Sequence, residues 1–144
     1  MKSDDRLIYI LSMAKQTLTD YTNSSLSKAG VKVTIAQAGI LFLLKQKDRR
    51  NMSELGQIFK IDKSAVTHLI DRLEKNGFVE RQVQEGNRRA FLIHITPSGL
   101  KEAERAIKIA RDVNEEVKIC FTSQEVESFK KVLNGILGKF KPAK

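Results

Sequence analysis

The sequence predicts a mainly α fold with one small β-hairpin: a winged helix-turn-helix flanked by N- and C-terminal helices. Three observations predict it. Two short amphipathic stretches, one over 52–59 and one starting at Lys63, are joined by only Lys60–Asp62, the connection length of a helix-turn-helix. Past Gly77 the apolar spacing changes from helical to alternating, and a Gly-Asn pair interrupts the alternation as a hairpin turn does. Apolar stripes at both ends of the chain exceed what a wing domain of about 65 residues can cover, which asks for a partner surface.

The elements follow in order. Leu7, Leu11, Ala14, Leu18 and Tyr21 are spaced 4, 3, 4, 3, a heptad-like seam on a first helix over 4–22, and the turn-like "NSSLSKAG" of 23–30 is expected to break it. Thr34 with Gln37 is a capping-box start for a second helix built on the apolar run Ile35–Leu44. The polar "KQKDRRN" (45–51) reads as a connection. Asn51 with Glu54 reads as the cap of a third helix, 52–59, with Met52, Leu55 and Phe59 on its apolar face. Gly56 inside it costs about 1 kcal/mol against Ala, for which close packing against a neighbour is the physical reason offered. Asp62 caps the fourth helix, whose stripe is Val66, Leu69, Ile70 and Leu73, and Asn76-Gly77 read as its left-handed stop. Val79 and Val83, then Phe91, Ile93 and Ile95, alternate, placing strands near 79–84 and 89–95 around a Gly86-Asn87 turn. Thr96-Pro97 opens a fifth helix, with Leu100, Ala103, Ile107, Ala110, Asn114 and Val117 on one stripe and Ala106, Ile109, Val113 and Cys120 on a second. Thr122 with Glu125 caps a sixth helix, whose seam is Val126, Phe129, Leu133, Ile136 and Phe140.

Composition narrows the function classes. The 144 residues suit one domain with its own core, and 41% hydrophobic with 30% charged residues is an ordinary globular balance. Lys and Arg number 26 against 17 Asp and Glu, a net charge of +9. That favours nucleic acid, an anionic membrane or an acidic protein as partner, with plain solubility as the alternative. Residues 45–94 hold 11 basic and 7 acidic residues, so charge alone does not locate a face. One cysteine excludes an internal disulfide and fits a reducing compartment. The opening "MKSDDRLIYILSMAKQ" lacks the apolar core of a signal peptide, and no apolar run approaches the ~18 residues of a membrane span. A cytoplasmic protein with no membrane partner is expected. No Gly-rich phosphate loop, nucleophile motif or supported carboxylate pair is present, so neither an enzyme nor a cofactor is expected. His68 and His94 with one cysteine spell out no metal site. Cys120 reads as a small buried hydrophobe at the end of the fifth helix, and His94 as a structural or surface residue.

The fourth helix carries the candidate chemistry. Opposite its apolar stripe stand Ser64, His68, Asp71 and Lys75, with Thr67 and Arg72 at the flanks. A solvated face ordinarily carries long Lys/Glu pairs, whereas this one opens with small hydroxyls and an imidazole. Small polar side chains let a helix approach base edges. Lys63, Ser64, Thr67 and His68 are therefore the candidate base-reading and phosphate-contacting set in a major groove, with Arg72 on phosphate. Asp71 and Glu74 oppose that role, and Asp71 is tolerable if Arg72, Arg81 or Arg89 neutralises it. Arg88 and Arg89 at the hairpin tip suit the narrow minor groove of A·T-rich DNA. A solvated helix face or a charged solubilising loop accounts for either feature alone. Together they stand in the chain order that a winged helix needs.

"TIAQAGILFLL", "NMSELGQIFKIDKSAVTHLIDRLEKNGFVER" and "EGNRRAFLIHITPSG" together resemble the MarR family of bacterial and archaeal transcription regulators, over most of the chain and most specifically over 51–99. The resemblance implies one MarR-like domain over 1–144: a DNA-binding part at 34–96, and a homodimer held by helices at 4–22 and 97–140. It implies a repressor bound to a palindromic operator and relieved by a small phenolic or other aromatic effector. It also implies that Ser64, Thr67 and His68 read bases, that Arg89 enters the minor groove, and that Ser53 touches phosphate. Two positions depart from the family pattern. Asn87 stands where the wing commonly has Asp, which removes a charge that would orient Arg89. His68 stands where Arg is frequent, and a histidine's charge changes near neutrality. The cysteine of the first helix through which some family members sense oxidants has no counterpart here. Two other readings stay open at this point: a winged-helix module that binds an acidic protein, and a nonspecific architectural DNA-binding protein.

Overall fold

A computed structural model of the chain describes residues 5–141, the side chains of residues 87–89 excepted. The elements are α1 (Leu7–Lys28), α2 (Ile35–Gln46), β1 (Arg50–Asn51), α3 (Met52–Phe59), α4 (Lys63–Lys75), β2 (Val79–Gln84), β3 (Asn87–Ile95), α5 (Pro97–Lys118) and α6 (Ser123–Lys139). Two compact units are formed, one up to Ala110 and one from Arg111 onward, with α5 running through the boundary. No helix among the described residues is long and apolar enough to cross a membrane.

Helix starts are set by the predicted caps. The side-chain oxygens of Thr34, Asn51, Asp62 and Thr122 each accept the amide three residues on, at 3.3, 2.8, 2.8 and 3.1 Å. Gln37 and Glu125 complete reciprocal boxes by accepting the Thr34 and Thr122 amides at 2.9 Å each. Three helices also stop in one way. Gly30, Lys60 and Gly77 take the left-handed conformation after α1, α3 and α4. The next, apolar residue then donates its amide to the carbonyl five residues back: Val31 to Leu26, Ile61 to Gly56 and Phe78 to Leu73, at 3.0, 3.1 and 2.9 Å.

The core of the first unit lies where these apolar faces converge. Leu26, Ile40, Leu41, Leu44, Leu55, Val66, Ile70, Leu73, Val79, Ile93 and Ile95 form one buried cluster with Ala103 and Ala106 of α5. Each fully buried Leu or Ile contributes on the order of 2 kcal/mol. The stripe predicted for α4 is the face it buries, with Leu69 at the margin. Gly56 is where α3 and α4 close on each other: a Cβ there would sit 3.1 Å from the Ile61 carbonyl oxygen and 3.4 Å from Val66. At the start of α5 the Thr96 hydroxyl donates to the Gly77 carbonyl at 2.7 Å and accepts the Gly99 amide at 3.0 Å, while the Thr96 amide donates to the Phe78 carbonyl at 3.0 Å. A Cβ at Gly99 would overlap the Phe78 carbonyl oxygen, so this seat takes only glycine.

Five details differ from the sequence reading. α1 does not break at Asn23 but runs to Lys28. The Thr22 and Ser25 hydroxyls donate to the carbonyls of Leu18 and Tyr21, Asn23 accepts the Ile35 amide at 2.8 Å, and Leu26 is fully buried. Tertiary packing thus overrides the turn-like composition. A third strand, β1, lies in the supposed connection and pairs antiparallel with β3, Arg50 opposite Ile93 and Asn51 opposite Leu92. The hairpin turn is Glu85-Gly86, one residue earlier than expected, because Gln84 pairs with Asn87 after an irregularity at Val83/Gln84. Asn76 stays right-handed at φ −84°, leaving Gly77 alone in the left-handed seat. Cys120 is exposed: α5 ends at Lys118, and the amides of Ile119 and Phe121 bond back to the Glu116 and Lys118 carbonyls in a tight turn that leaves the thiol outside.

The stripes that asked for a partner surface are bare on the single chain. Leu7 and Ile8 of α1 are 78% and 85% exposed, and Phe129, Val132, Leu137 and Phe140 toward the C-terminus are each more than half exposed.

Candidate nucleic-acid interface

α4 presents one continuous polar face because Asp62 fixes its first turn and Val66, Ile70 and Leu73 fix its rotation. Lys63, Ser64, His68 and Arg72 are exposed and Thr67 half-buried. Among the described residues, no carboxylate forms an ion pair with Lys63, His68 or Arg72, so those groups are available to a ligand. The two hydroxyls are engaged locally. Ser64 Oγ donates to Asp62 Oδ1 at 2.8 Å and Thr67 Oγ1 to the Lys63 carbonyl at 2.9 Å. Each keeps lone pairs for a donor from outside. The Ala65 amide and then the Ser64 hydroxyl hold the Asp62 carboxyl below its usual range, so the cap stays ionised.

The acidic residues that stood against the site are answered by one arginine. Arg81 of β2 bonds Asp71 Oδ1 through Nη2 and lies 3.6 Å from Glu74 Oε1 through Nη1. Of the three arginines offered for this task by the sequence, Arg81 performs it. Arg88 and Arg89, expected at the wing tip, lie outside the described side chains; their backbone belongs to β3, just past the turn.

α3, α4 and the wing enclose an open groove of about 880 Å³. Its floor is Met52, Ile61, Ala90 and Phe91, and its polar rim includes Asn51, Ser53, Gln57, Lys63, Thr67, Arg81 and Gln84. Ser53, Lys63 and Thr67 are thereby brought to one concavity, while Ser64, His68 and Arg72 do not line it. Gln57, Gln84 and Phe91 were missed by the sequence reading. Their signal is weak, since a glutamine on a short helix and an alternating strand residue become a rim only when α3 and the hairpin face each other.

Asp48 is a further missed residue. Oδ1 accepts the Ile95 amide at 2.9 Å and Oδ2 meets His94 Nδ1 at 2.5 Å. Next to it, Arg49 Nε donates to Gln82 at 3.1 Å. Burial pushes the Asp48 carboxyl up, but the Ile95 amide, His94 and the Arg49 amide outweigh it and hold the group below its usual range. The segment before β1 is thus tied to the base of the wing, and His94 takes a structural role as expected. Among the described residues no group of three or more His, Cys, Asp or Glu could hold a metal ion.

Comparison with known proteins agrees with this fold. The family model described as MarR family matches residues 33–91. The multiple antibiotic resistance protein MarR of Salmonella typhimurium is 27% identical over 133 residues, covering 92% of this chain and 89% of that one. The transcriptional repressor MdtR of Bacillus subtilis is 31% identical over 103 residues, covering 69% of this chain and 65% of that one. A crystal structure of a cysteine-to-serine mutant of MarR from E. coli, complexed with operator DNA, superposes with a TM-score of 0.83 at 26% identity, covering 94% of this chain and 99% of that one. With a matching family model over the winged helix, relatives that are transcriptional regulators and the same fold over most of its length, the chain belongs to the MarR family.

Proposed function

We propose that this chain is an operator-binding transcriptional repressor that acts as a homodimer. The observation that carries the reading is the polar face of α4: cations with no ion-pair partner among the described residues and small hydroxyls, on a helix whose first turn is capped and whose carboxylates Asp71 and Glu74 are answered by Arg81. In this reading Ser64, Thr67 and His68 meet base edges in a major groove. Lys63, Arg72 and Ser53 meet phosphates, and Arg88 and Arg89 reach the neighbouring minor groove. The bare stripes of α1 and α6 are the surfaces that a second copy covers. Two α4 helices about 34–36 Å apart then read a palindrome in successive major grooves. The MarR mutant solved with operator DNA supports the reading by its fold.

The test is selection of the protein against a random duplex library, followed by salt-titrated binding to the winner. The expected result is an inverted repeat with half-sites about one helical turn apart, and an affinity that falls steeply with salt. Tight, salt-sensitive binding without sequence preference would replace this reading with an architectural one. No binding would turn it toward an acidic protein partner.

The groove favours an effector as well. Apolar Phe91, Met52 and Ile61 beside Arg81 and Lys63 suit a small aromatic anion, the effector class implied by the family. A molecule held there shares Lys63, Thr67 and Ser53 with the proposed DNA surface, so it would compete with duplex. Release of the selected duplex by a small aromatic acid such as benzoate or salicylate, with no release from a Phe91→Ala variant, is the expected outcome.

A further inference from the structure

We propose that Arg81 is a positioning residue for DNA binding: a strut that sets the angle between the wing and the recognition helix by bridging Asp71 and Glu74. The inference rests on the DNA-binding reading above for its consequence, but not for its geometry.

The wing leaves the core at Arg81. Along β2 the side chains of Val79, Arg81 and Val83 share one face, because strand residues alternate. Val79 is buried and Val83 is 60% exposed, so the hairpin's apolar hold ends between them. The partner strand repeats the pattern: Ile93, opposite Arg81, is buried, and Phe91, opposite Val83, is 38% exposed. At this last anchored position the chain places an arginine whose Nη2 bonds Asp71 while its Nη1 lies 3.6 Å from Glu74. The two carboxylates lie one turn apart on α4. Asp71 continues the Ser64 and His68 face, and Glu74 lies two turns beyond Thr67. The planar guanidinium can engage both carboxylates at fixed geometry, whereas an ammonium is a point charge without such a fork. The side chains of Arg81, Asp71 and Glu74 are 26%, 55% and 41% exposed. Ion pairs so open to water contribute little to global stability. What the bridge supplies is direction, because past it no buried apolar side chain orients the hairpin toward α4.

Simultaneous use of a major groove by α4 and a minor groove by the wing depends on that angle. A residue that sets it acts on sequence-specific binding, whereas a phosphate contact acts on all duplexes alike. The experiment uses Arg81→Lys, which keeps the charge and loses the fork. The full-length variant is assayed by amide hydrogen exchange over residues 79–95, by thermal unfolding, and by affinity for the selected duplex and for a scrambled one. The expected result is faster exchange in the hairpin at an unchanged Tm. Affinity for the selected duplex should fall about tenfold, the scale of one good base contact, with affinity for the scrambled duplex and the salt slope unchanged. In a background of Asp71→Asn with Glu74→Gln, Arg81→Lys should have no further effect. Wild-type behaviour of Arg81→Lys in hydrogen exchange would overturn the proposal whether or not the protein binds DNA. Equal losses on both duplexes would overturn it in favour of a phosphate contact. Failure of the wild-type chain to bind any duplex, with the hairpin loosened in Arg81→Lys, would remove the DNA reading and leave the strut.

Discussion

Asp48 serves two residues of β3 with one carboxylate, and ionisation is what both contacts need. Its folded pKa lies below the ordinary 3.8. The stability it contributes is therefore present above that value and is lost as pH falls through the folded pKa. Asp48→Asn should lower stability at neutral pH by this contribution and flatten the acid limb, so that its curve meets that of wild type at low pH, as read by urea unfolding from pH 2 to pH 7. His68 is exposed on the polar face of α4, where the proposed reading sets it against a base edge. His68→Ala should weaken binding of the selected duplex more than binding of a scrambled one, as read by paired affinity titrations. At this scale the sequence exposed what periodicity can expose: the α4 face, the caps and the buried stripe. Pairs such as Asp48–His94 and Arg81–Asp71 join positions whose distance along the chain carries no signal, so only the folded chain reveals them.

Elements were legible where a start or stop signal coincided with a period. α2, α3, α4 and α6 begin at the caps that the sequence displays. β1 was hidden because two residues have no period, and its pairing depends on β3, which follows some forty residues later. α1 was misread because serines and asparagine look like a turn. The true stop was Gly30 followed by an apolar residue, the signature that also closes α4. Two substitutions test this level. Leu26→Ala, in the part of α1 expected to be loop, should cost about 2–5 kcal/mol in chemical unfolding, whereas a loop residue would cost almost nothing. Gly99→Ala should destabilise by about 1–3 kcal/mol or more, because the Phe78 carbonyl must move.

The whole molecule makes sense only with a second copy in the proposed reading. Among the described residues, many of the exposed large apolar side chains lie on α1 and α6, and a net charge of +9 would otherwise keep the chain dispersed. Sedimentation should therefore give twice the mass of one chain. Replacing Phe129 and Ile136 with lysine should give monomers that bind the inverted repeat far more weakly than the dimer, since each then holds only one half-site.

The junction at Thr96 has a mechanical meaning. One hydroxyl and one amide of Thr96 bind Gly77 and Phe78, just past the end of α4, and Gly99 presses α5 onto Phe78 without a side chain between. No slack separates the two helices. The recognition helix is thus clamped from behind: its C-terminal end is held by the first turn of α5, and its aim is fixed there as firmly as by its own N-terminal cap.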